Sequence, residues 1–237
     1  MSILVLVRHG QSIWNLEKRF TGWVDVDLTE NGKSEAEKAG LLIKKRGIEI
    51  NYYYSSLQLR ANHTLRIIQT ILNEKKSFTK AWQLNERHYG ALTGLNKLEM
   101  SKKIGEDKVH EFRRSWNIRP EVLNRDNKFH PLNIDAYKDI PRELIPDTES
   151  LKDTYERVMR YYEKELKDKL KDSNILISAH GNSIRALCKN LFKLDDIQIS
   201  KLEIPTGNPL MIEFNSQNKI ILCEYLDKER AKDLLVF

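Results

Sequence analysis

The stretch I-L-V-L-V-R-H-G-Q-S-I-W-N, residues 3–15, opens the chain with five apolar residues that end in an arginine, a histidine and a glycine. A continuous run of β-branched residues and leucine is typical of a strand that is covered on both faces in a parallel sheet. Such a strand usually ends in a turn of ordinary residues, whereas this one ends in the cation of Arg8 and the titratable imidazole of His9. The stretch therefore predicts a central strand with a functional site at its carboxyl end.

The same pattern returns late in the chain. V-R-H-G-Q-S at 7–12 and S-A-H-G-N-S at 178–183 both place His-Gly, an amide side chain and a serine directly after an apolar run. Ligands of an open parallel sheet bind beyond the carboxyl ends of its strands. Two strands that each end in His-Gly would therefore place His9 and His180 at the same rim of the sheet.

Strands and helices are predicted to alternate along most of the chain. Strands are expected at 3–7, 52–55, 174–179, 210–214 and 220–225, and helices at about 29–45, 57–73 and 183–192. Thr29 can cap the first helix and Gly47 can end it. This alternation is typical of an α/β fold. We expect a three-layer α/β/α architecture with a mainly parallel central sheet.

One segment interrupts this alternation. Residues 99–146 are polar, rich in Arg, Asn and Pro, and contain no clear strand. Loops of this length in compact domains are usually functional lids or disordered. We predict a single catalytic domain over residues 1–237, with a lid-like excursion at about 99–146 and a short tail at about 227–237.

The composition limits the classes of function. The chain has 40 Lys and Arg against 34 Asp and Glu, which gives a net charge of +6, and the basic residues are spread without blocks. This distribution argues against nucleic-acid binding and suits a small anionic substrate. We expect neither a signal peptide nor a membrane span, since the apolar start of the chain at residues 1–7 is too short for the first and no apolar stretch is long enough for the second. The two cysteines, Cys188 and Cys223, are expected to be reduced thiols in a cytoplasmic protein.

Two imidazoles at one sheet rim allow three kinds of chemistry. A metal ion is disfavoured because the neighbours of the two histidines are the cations Arg8 and Arg185. A serine nucleophile normally sits in a G-x-S-x-G turn, and neither His-Gly motif forms one. Phosphoryl transfer through a phosphohistidine remains, and it requires one neutral imidazole, several cations and an acid for the leaving oxygen.

The sequence supplies candidates for each of these requirements. Arg60 follows the second strand, and Glu86 and Arg87 lie together in L-N-E-R-H-Y-G at 84–90. Arg113 and Arg114 lie within the excursion. Each residue taken alone also has a purely structural explanation, since a lone histidine at a strand end or an arginine on a helix surface is common. The pattern as a whole favours phosphoryl transfer.

Further motifs follow in a fixed order: F-T-G-W (20–23), L-N-E-R-H-Y-G (84–90), L-T-G-L-N-K (92–97), R-R-S-W (113–116) and A-H-G-N-S (179–183). Together with R-H-G-Q-S they resemble the 2,3-bisphosphoglycerate-dependent phosphoglycerate mutases, a family of the histidine phosphatase superfamily. R-H-G alone would indicate only the superfamily, whereas L-N-E-R-H-Y-G is far more specific to the mutase branch. The resemblance extends from residue 3 to about residue 225 and implies a phosphoglycerate mutase-like fold.

The resemblance implies an enzyme that interconverts 3-phosphoglycerate and 2-phosphoglycerate, primed by 2,3-bisphosphoglycerate and without a metal. His9 would be the phosphorylated nucleophile, Glu86 the proton donor and acceptor, and His180 the group that stabilises the transferring phosphoryl. Arg8 and Arg60 would complete the catalytic set. Substrate binding would fall to Ser12, Asn15, Thr21, Gly22, Arg87, His88, Tyr89, Lys97, Arg113, Arg114, Gly181 and Asn182.

Two other functions are considered beside the mutase. One is a phosphomonoesterase on the same scaffold, with water as the acceptor, and the other is a non-catalytic binder of phosphorylated ligands. Lys97, Arg113 and Arg114 favour the mutase, because a second anionic group must be held while the substrate reorients. The resemblance further implies small-molecule phosphoglycerates as partners, no nucleic acid or membrane, and a homo-oligomer, either a dimer or a tetramer.

Overall fold

The computed structural model of the protein describes residues 1–234, so the last three residues of the predicted tail lie outside the described residues. A six-stranded sheet with the order β3-β2-β4-β1-β5-β6 forms the centre. The strands are β1 (Ser2–Arg8), β2 (Tyr52–Ser55), β3 (Thr79–Lys80), β4 (Ile175–Ala179), β5 (Leu210–Phe214) and β6 (Ile220–Tyr225). Strands β1 to β4 pair in parallel, and β5 and β6 add an antiparallel edge. The predicted, mainly parallel sheet is confirmed.

The helices lie on both faces of this sheet. They are α1 (Ile13–Leu16), α2 (Glu30–Lys45), α3 (Leu59–Leu72), α4 (Lys97–Ile104), α5 (Glu106–Arg114), α6 (Leu151–Tyr161), α7 (Gly181–Phe192) and α8 (Asp196–Lys201). A single turn of π-helix, Tyr162–Leu166, continues α6. Within residues 1–234, none of the helices is both long and apolar enough to cross a membrane.

Strand β1 shows how the three layers form. Successive side chains of a strand point to opposite faces, so Leu4 and Leu6 pack in one hydrophobic core with residues of α6 and α7. Val5 and Val7 pack on the other face with residues of α2 and α3. Burial on both faces explains why the sequence of this strand is continuously apolar, and it confirms the predicted α/β/α arrangement.

Several helices were not predicted from the sequence. Helix α4 has no buried residue and α5 buries only Val109, so the apolar signal of the two helices is confined to a few positions such as Met100, Val109 and Phe112, which pack near Phe20 and Leu92. Helix α6 had a usable signal, because Ser150 and Asp153 form a capping box at its start. Among the described residues, the segment 99–146 contains no strand, as expected, but it includes most of α4, all of α5 and three short 3₁₀ turns.

The start of α2 packs directly on the loop that follows β1. Thr29 caps α2 and its backbone N–H donates to the carbonyl oxygen of Gln11 at 2.9 Å. A Cβ atom on Gly10 would lie 2.0 Å from the carbonyl oxygen of Gly32, and one on Gly32 would lie 2.1 Å from that of Gln11. This contact between two backbones requires glycine at both positions, and it holds the loop that begins at His9.

We predict that Gly32→Ala lowers the free energy of unfolding by about 1–3 kcal/mol, although alanine alone would favour a helix by about 1 kcal/mol. The reason is that the new methyl group meets the Gln11 carbonyl, which cannot move without displacing the loop. Urea unfolding of this variant should be compared with Ser34→Ala, an exposed position in the same helix. A Gly32→Ala protein as stable as the control would contradict the prediction.

Candidate active site

The two histidines of the His-Gly motifs lie side by side. β1 and β4 are neighbours in the sheet, with Arg8 opposite Ala179, so both chains leave the sheet at the same place. The ring centroids of His9 and His180 are 5.0 Å apart and both residues are almost fully buried. The predicted meeting of the two imidazoles at one rim of the sheet is therefore present in the structure.

The surroundings of His9 define its protonation. Its Nδ1 lies 2.7 Å from the carbonyl oxygen of Gly10, which can only accept, so Nδ1 carries the proton. Its Nε2 accepts from Nε of Arg60 at 3.3 Å. Burial, and then the charges of Arg60 and Arg8, lower the pKa of His9 well below its ordinary value. At neutral pH the ring is therefore an uncharged imidazole with a lone pair on Nε2.

His180 is oriented from behind by a serine. Its Nε2 lies 2.8 Å from Oγ of Ser56, and the backbone N–H of Gln58 donates to the same oxygen at 3.1 Å. That N–H uses one of the two lone pairs of the hydroxyl, and the hydroxyl can donate its own proton to His180 Nε2. In that tautomer the ring proton lies on Nδ1, which is buried and has no hydrogen-bond partner among residues 1–234. Burial, followed by the Arg60 charge, lowers the pKa of His180 well below its ordinary value.

Glu86 lies at the amino terminus of α7. Its Oε1 accepts from the backbone N–H of Asn182 at 3.2 Å, from Nδ2 of the same asparagine at 2.9 Å and from the backbone N–H of Arg87 at 2.8 Å. Its backbone carbonyl accepts from Nη2 of Arg157 at 2.9 Å. A helix amino terminus favours negative charge, so this carboxylate is held in place by its neighbours and is only 8% exposed.

A cleft opens in front of these groups. It is lined by Arg8, His9, Asn15, Thr21, Gly22, Arg60, Glu86, Tyr89, Lys97, Arg113, Arg114, Gly181, Asn182 and Arg185. Six of these residues are cations, and among the described residues Glu86 is the only carboxylate in the lining. Such an excess of positive charge in a concave site favours a ligand with several negative charges.

Several buried donors around the cleft have no partner among the described residues. They include Nε of Arg8, Nη1 of Arg114 and Oγ1 of Thr21. A buried donor that lacks a hydrogen bond is unfavourable by roughly 1–3 kcal/mol, and more if it is charged. Convergence of such donors on one cleft therefore fits a ligand with phosphate or carboxylate oxygens.

Lys97 shows the effect of crowding these cations together. Burial, together with the charges of Arg113 and Arg8, lowers the pKa of Lys97 to about 8. The ammonium group donates to the carbonyl oxygen of Arg19 at 2.6 Å. Lys97 therefore remains mostly charged at neutral pH, and a bound anion would stabilise its charged form further.

Four predicted site residues lie outside the cleft lining. His180 is one of them, although its ring centroid lies 5.0 Å from that of His9, which is part of the lining. Ser12 is fully buried and caps α1 in a capping box with Asn15. Arg87 donates to the carbonyl oxygen of Phe112, and its guanidinium lies over the ring of Tyr89.

His88 has a different environment from the other predicted residues. It is fully buried, its Nδ1 accepts from the backbone N–H of Gly90 at 3.0 Å, and its ring centroid is 6.0 Å from that of His130. Burial, and then the neighbouring His130, lower the pKa of His88 to about 3. The structure therefore places His88 in a buried histidine pair and not in the cleft.

Two residues that contact the predicted site were not assigned to it from the sequence. Arg185 lines the cleft and donates from Nη1 to Oδ1 of Asn182 at 3.1 Å, which directs the amide nitrogen of Asn182 towards Glu86. Gln58 is fully buried, and its Oε1 accepts from the backbone N–H of Glu86 at 2.9 Å and from Nη2 of Arg60 at 3.2 Å. Arg185 could have been found, because it lies one helical turn after Asn182 in the second His-Gly motif.

The charged residues behind Glu86 form a buried ion pair. Nε of Arg157 donates to Glu149 at 2.6 Å, and Nη1 of Arg157 donates to the carbonyl oxygen of Gln83 at 2.6 Å. Glu149 in turn accepts from the backbone N–H of His88 at 2.8 Å. The pair thus fixes the backbone on both sides of Glu86.

Within residues 1–234, no cluster of three or more His, Cys, Asp or Glu side chains is placed to hold a metal ion.

We predict that acid destabilises the protein through its buried histidines. His9, His88 and His180 have lowered pKa values and stay neutral in the fold, whereas the unfolded chain takes up a proton near pH 6.5. Stability is therefore lost as the pH falls below 6.5, by up to about 1.4 kcal/mol per pH unit for each histidine. Between pH 7 and pH 5 the free energy of unfolding should fall less steeply in His88→Gln than in the unmodified protein. In His110→Gln, a control at an exposed position, its dependence on pH should be unchanged.

Comparison with known proteins identifies the family. The family model described as the histidine phosphatase superfamily (branch 1) matches residues 4–127 and 125–225. The chain is 68% identical to a 2,3-bisphosphoglycerate-dependent phosphoglycerate mutase of Pelagibacter ubique, over the full length of both proteins. It is 48% identical to one of a Caulobacter species, over 99% of this chain and 98% of the relative.

A solved structure shows the same fold at low sequence identity. The mycobacterial glucosyl-3-phosphoglycerate phosphatase matches with a TM-score of 0.68 and 21% identity, over 94% of this chain and 97% of that one. The family model and the full-length relatives agree, and the chain belongs to the 2,3-bisphosphoglycerate-dependent phosphoglycerate mutase family of the histidine phosphatase superfamily.

Proposed function

We propose that the protein interconverts 3-phosphoglycerate and 2-phosphoglycerate through a phosphohistidine at His9. The observation that carries this proposal is a neutral, buried His9 in a cleft that is lined by six cations. Among the described residues, Glu86 is the only carboxylate of that lining. The relatives that match over their full length are named as 2,3-bisphosphoglycerate-dependent phosphoglycerate mutases, which supports the same substrates.

His9 and His180 have different roles at the transferring phosphoryl group. Nε2 of His9 carries the lone pair that attacks phosphorus, while the bond from Nδ1 to Gly10 holds the ring in the reactive tautomer. Nδ1 of His180 is a buried donor near the same place, and it stabilises charge on the phosphoryl oxygens. Arg8 and Arg60 add positive charge beside His9.

Glu86 moves the proton at the substrate hydroxyl. All the hydrogen bonds that the described residues give its carboxylate go to Oε1, which leaves Oε2 to exchange a proton with a hydroxyl oxygen. Gln58 and Arg157 hold its backbone at the nitrogen and at the carbonyl oxygen. The carboxylate is therefore positioned before a ligand binds.

The remaining cations hold the substrate's other anionic groups. When bound, 2,3-bisphosphoglycerate supplies the phosphoryl group that phosphorylates His9. The unpartnered donors of Arg8, Arg114 and Thr21, together with Lys97 and Arg113, fit a ligand with two phosphates and a carboxylate. Binding these groups excludes water from His9 and so favours transfer to a sugar-acid hydroxyl over hydrolysis.

We place the enzyme in the cytoplasm, where its proposed substrates occur, and we expect it to act without a metal. A homo-oligomer, as a dimer or tetramer, stays a prediction from the family resemblance.

We predict that the purified protein, given 3-phosphoglycerate, trace 2,3-bisphosphoglycerate and a metal chelator, forms 2-phosphoglycerate. Phosphorus NMR resolves both monophosphates and free phosphate in one sample. Omitting the primer should stop the reaction, and His9→Ala should abolish it, because the phosphoryl group then has no acceptor on the protein. If free phosphate is the main product, water reaches the phosphohistidine and the phosphomonoesterase function replaces the mutase.

We further predict that Glu86→Gln lowers kcat by at least about 10²-fold, because the amide cannot exchange the proton. Sulfate binding, measured by isothermal titration calorimetry, should be retained or become tighter, since the six cations are unaltered and the negative charge of Glu86 is removed from the cleft. Glu99→Gln removes the same charge from an exposed site on α4 and should keep full activity. A Glu86→Gln enzyme that retains more than about a tenth of the turnover would contradict the assigned proton transfer.

A further inference from the structure

A second carboxylate, outside the cleft lining, holds one of the cations that line it. Nη2 of Arg114, at the end of α5, donates to Oε1 of Glu203. The side chain of Arg114 is 12% exposed and that of Glu203 is 50% exposed, so the ion pair joins the cleft to its solvent-facing edge. Nη1 of Arg114 is buried and has no partner in the described part of the chain. Glu203 therefore occupies one nitrogen of this guanidinium and leaves another for a ligand.

The backbone around Glu203 is fixed by other residues of the site. Nε of Arg185 donates to the carbonyl oxygen of Leu202 at 2.7 Å, and Nη1 of Arg8 donates to that of Ile204 at 2.7 Å. The carbonyl oxygen of Glu203 accepts from the hydroxyl of Tyr225 at 3.0 Å. Three consecutive carbonyls are thus occupied, two of them by cations of the cleft lining. The negative charge of Glu203 has a defined place beside the cation cluster.

The negative charge of Glu203 stabilises the six cations of the cleft lining but disfavours the binding of an anion. Burial lowers the pKa of Arg114, Glu203 raises it, and the neighbouring Arg113 lowers it again. Glu203 therefore offsets repulsion among the cations. The same carboxylate repels an anion that enters the cleft, and the Coulomb energy of that repulsion grows in proportion to the charge of the anion.

We propose that Glu203 is a specificity-determining residue that weakens the binding of highly charged anions more than that of less charged ones. For the ligand identities the inference rests on the proposed function, in which a bisphosphate and two monophosphates use the same cleft. The bisphosphate has one phosphate more, so six cations alone would retain it strongly. Glu203 reduces this difference and allows the monophosphates to compete for the cleft.

The test measures the affinity of anions of graded charge by isothermal titration calorimetry at pH 8, with sulfate, pyrophosphate and tripolyphosphate as probes. Glu203→Gln should tighten sulfate about twofold and tripolyphosphate about fivefold, since the binding free energy gained scales with anion charge and is screened at a half-exposed site. Glu203→Asp and Glu203→Asn have side chains of equal size and differ only in charge. Of these two, only Glu203→Asn should bind the anions more tightly. Glu224→Gln, which removes a carboxylate paired with Arg46 away from the cleft, is the matched control.

Three outcomes would overturn the proposal. An equal factor for all three anions would mean that the variant changed the shape of the cleft. Unchanged affinities would show that the charge is fully screened, and weaker binding would show that Glu203 chiefly positions Arg114. None of these measurements depends on turnover, so a protein that fails to form 2-phosphoglycerate would disprove the proposed function and leave this result to be judged separately.

Discussion

The parallel pairing of β1 with β4 is the contact on which the rest of the site depends, because it brings together two segments that are about 170 residues apart in the chain. The register places Arg8 opposite Ala179, and the backbone N–H of His9 donates to the carbonyl oxygen of Ala179 at 2.9 Å. The imidazole that follows each strand therefore meets the other at the rim. A local sequence motif could not bring the imidazoles of His9 and His180 this close to each other.

Burial then gives the two imidazoles their chemistry. Both rings lie in a region of low dielectric constant beside fixed cations, and this disfavours their charged forms. The neutral ring of His9 can act as a nucleophile, and the proton on Nδ1 of His180 remains available as a donor. The same burial destabilises the protein in acid, so the property that prepares the site for phosphoryl transfer also limits the pH range in which the fold is stable.

The cations are held in place largely by backbone carbonyls. Arg60 donates to the carbonyl oxygens of Val24 and Gly22, and Arg8 and Arg185 donate to those of Ile204 and Leu202. A neutral carbonyl orients a guanidinium without cancelling its charge, whereas a carboxylate neutralises it. Most of the positive charge of the cleft therefore remains available to an anionic ligand, and Arg114, with its bond to Glu203, is the cleft cation whose charge is partly offset.

The sequence by itself determined the α/β class, the central strands and the two His-Gly motifs, because continuous apolar runs and catalytic motifs are local patterns. The resemblance supplied nearly all the residues that line the cleft. Helices α4 and α5 were not predicted, since they are short and only a few of their side chains, such as Met100, Val109 and Phe112, pack against the rest of the protein. Only the tertiary structure decided the tautomers of His9 and His180, the placement of His88 in a buried pair, and the contact of Glu203 with Arg114, because each depends on groups that are distant in sequence and meet only in the folded chain.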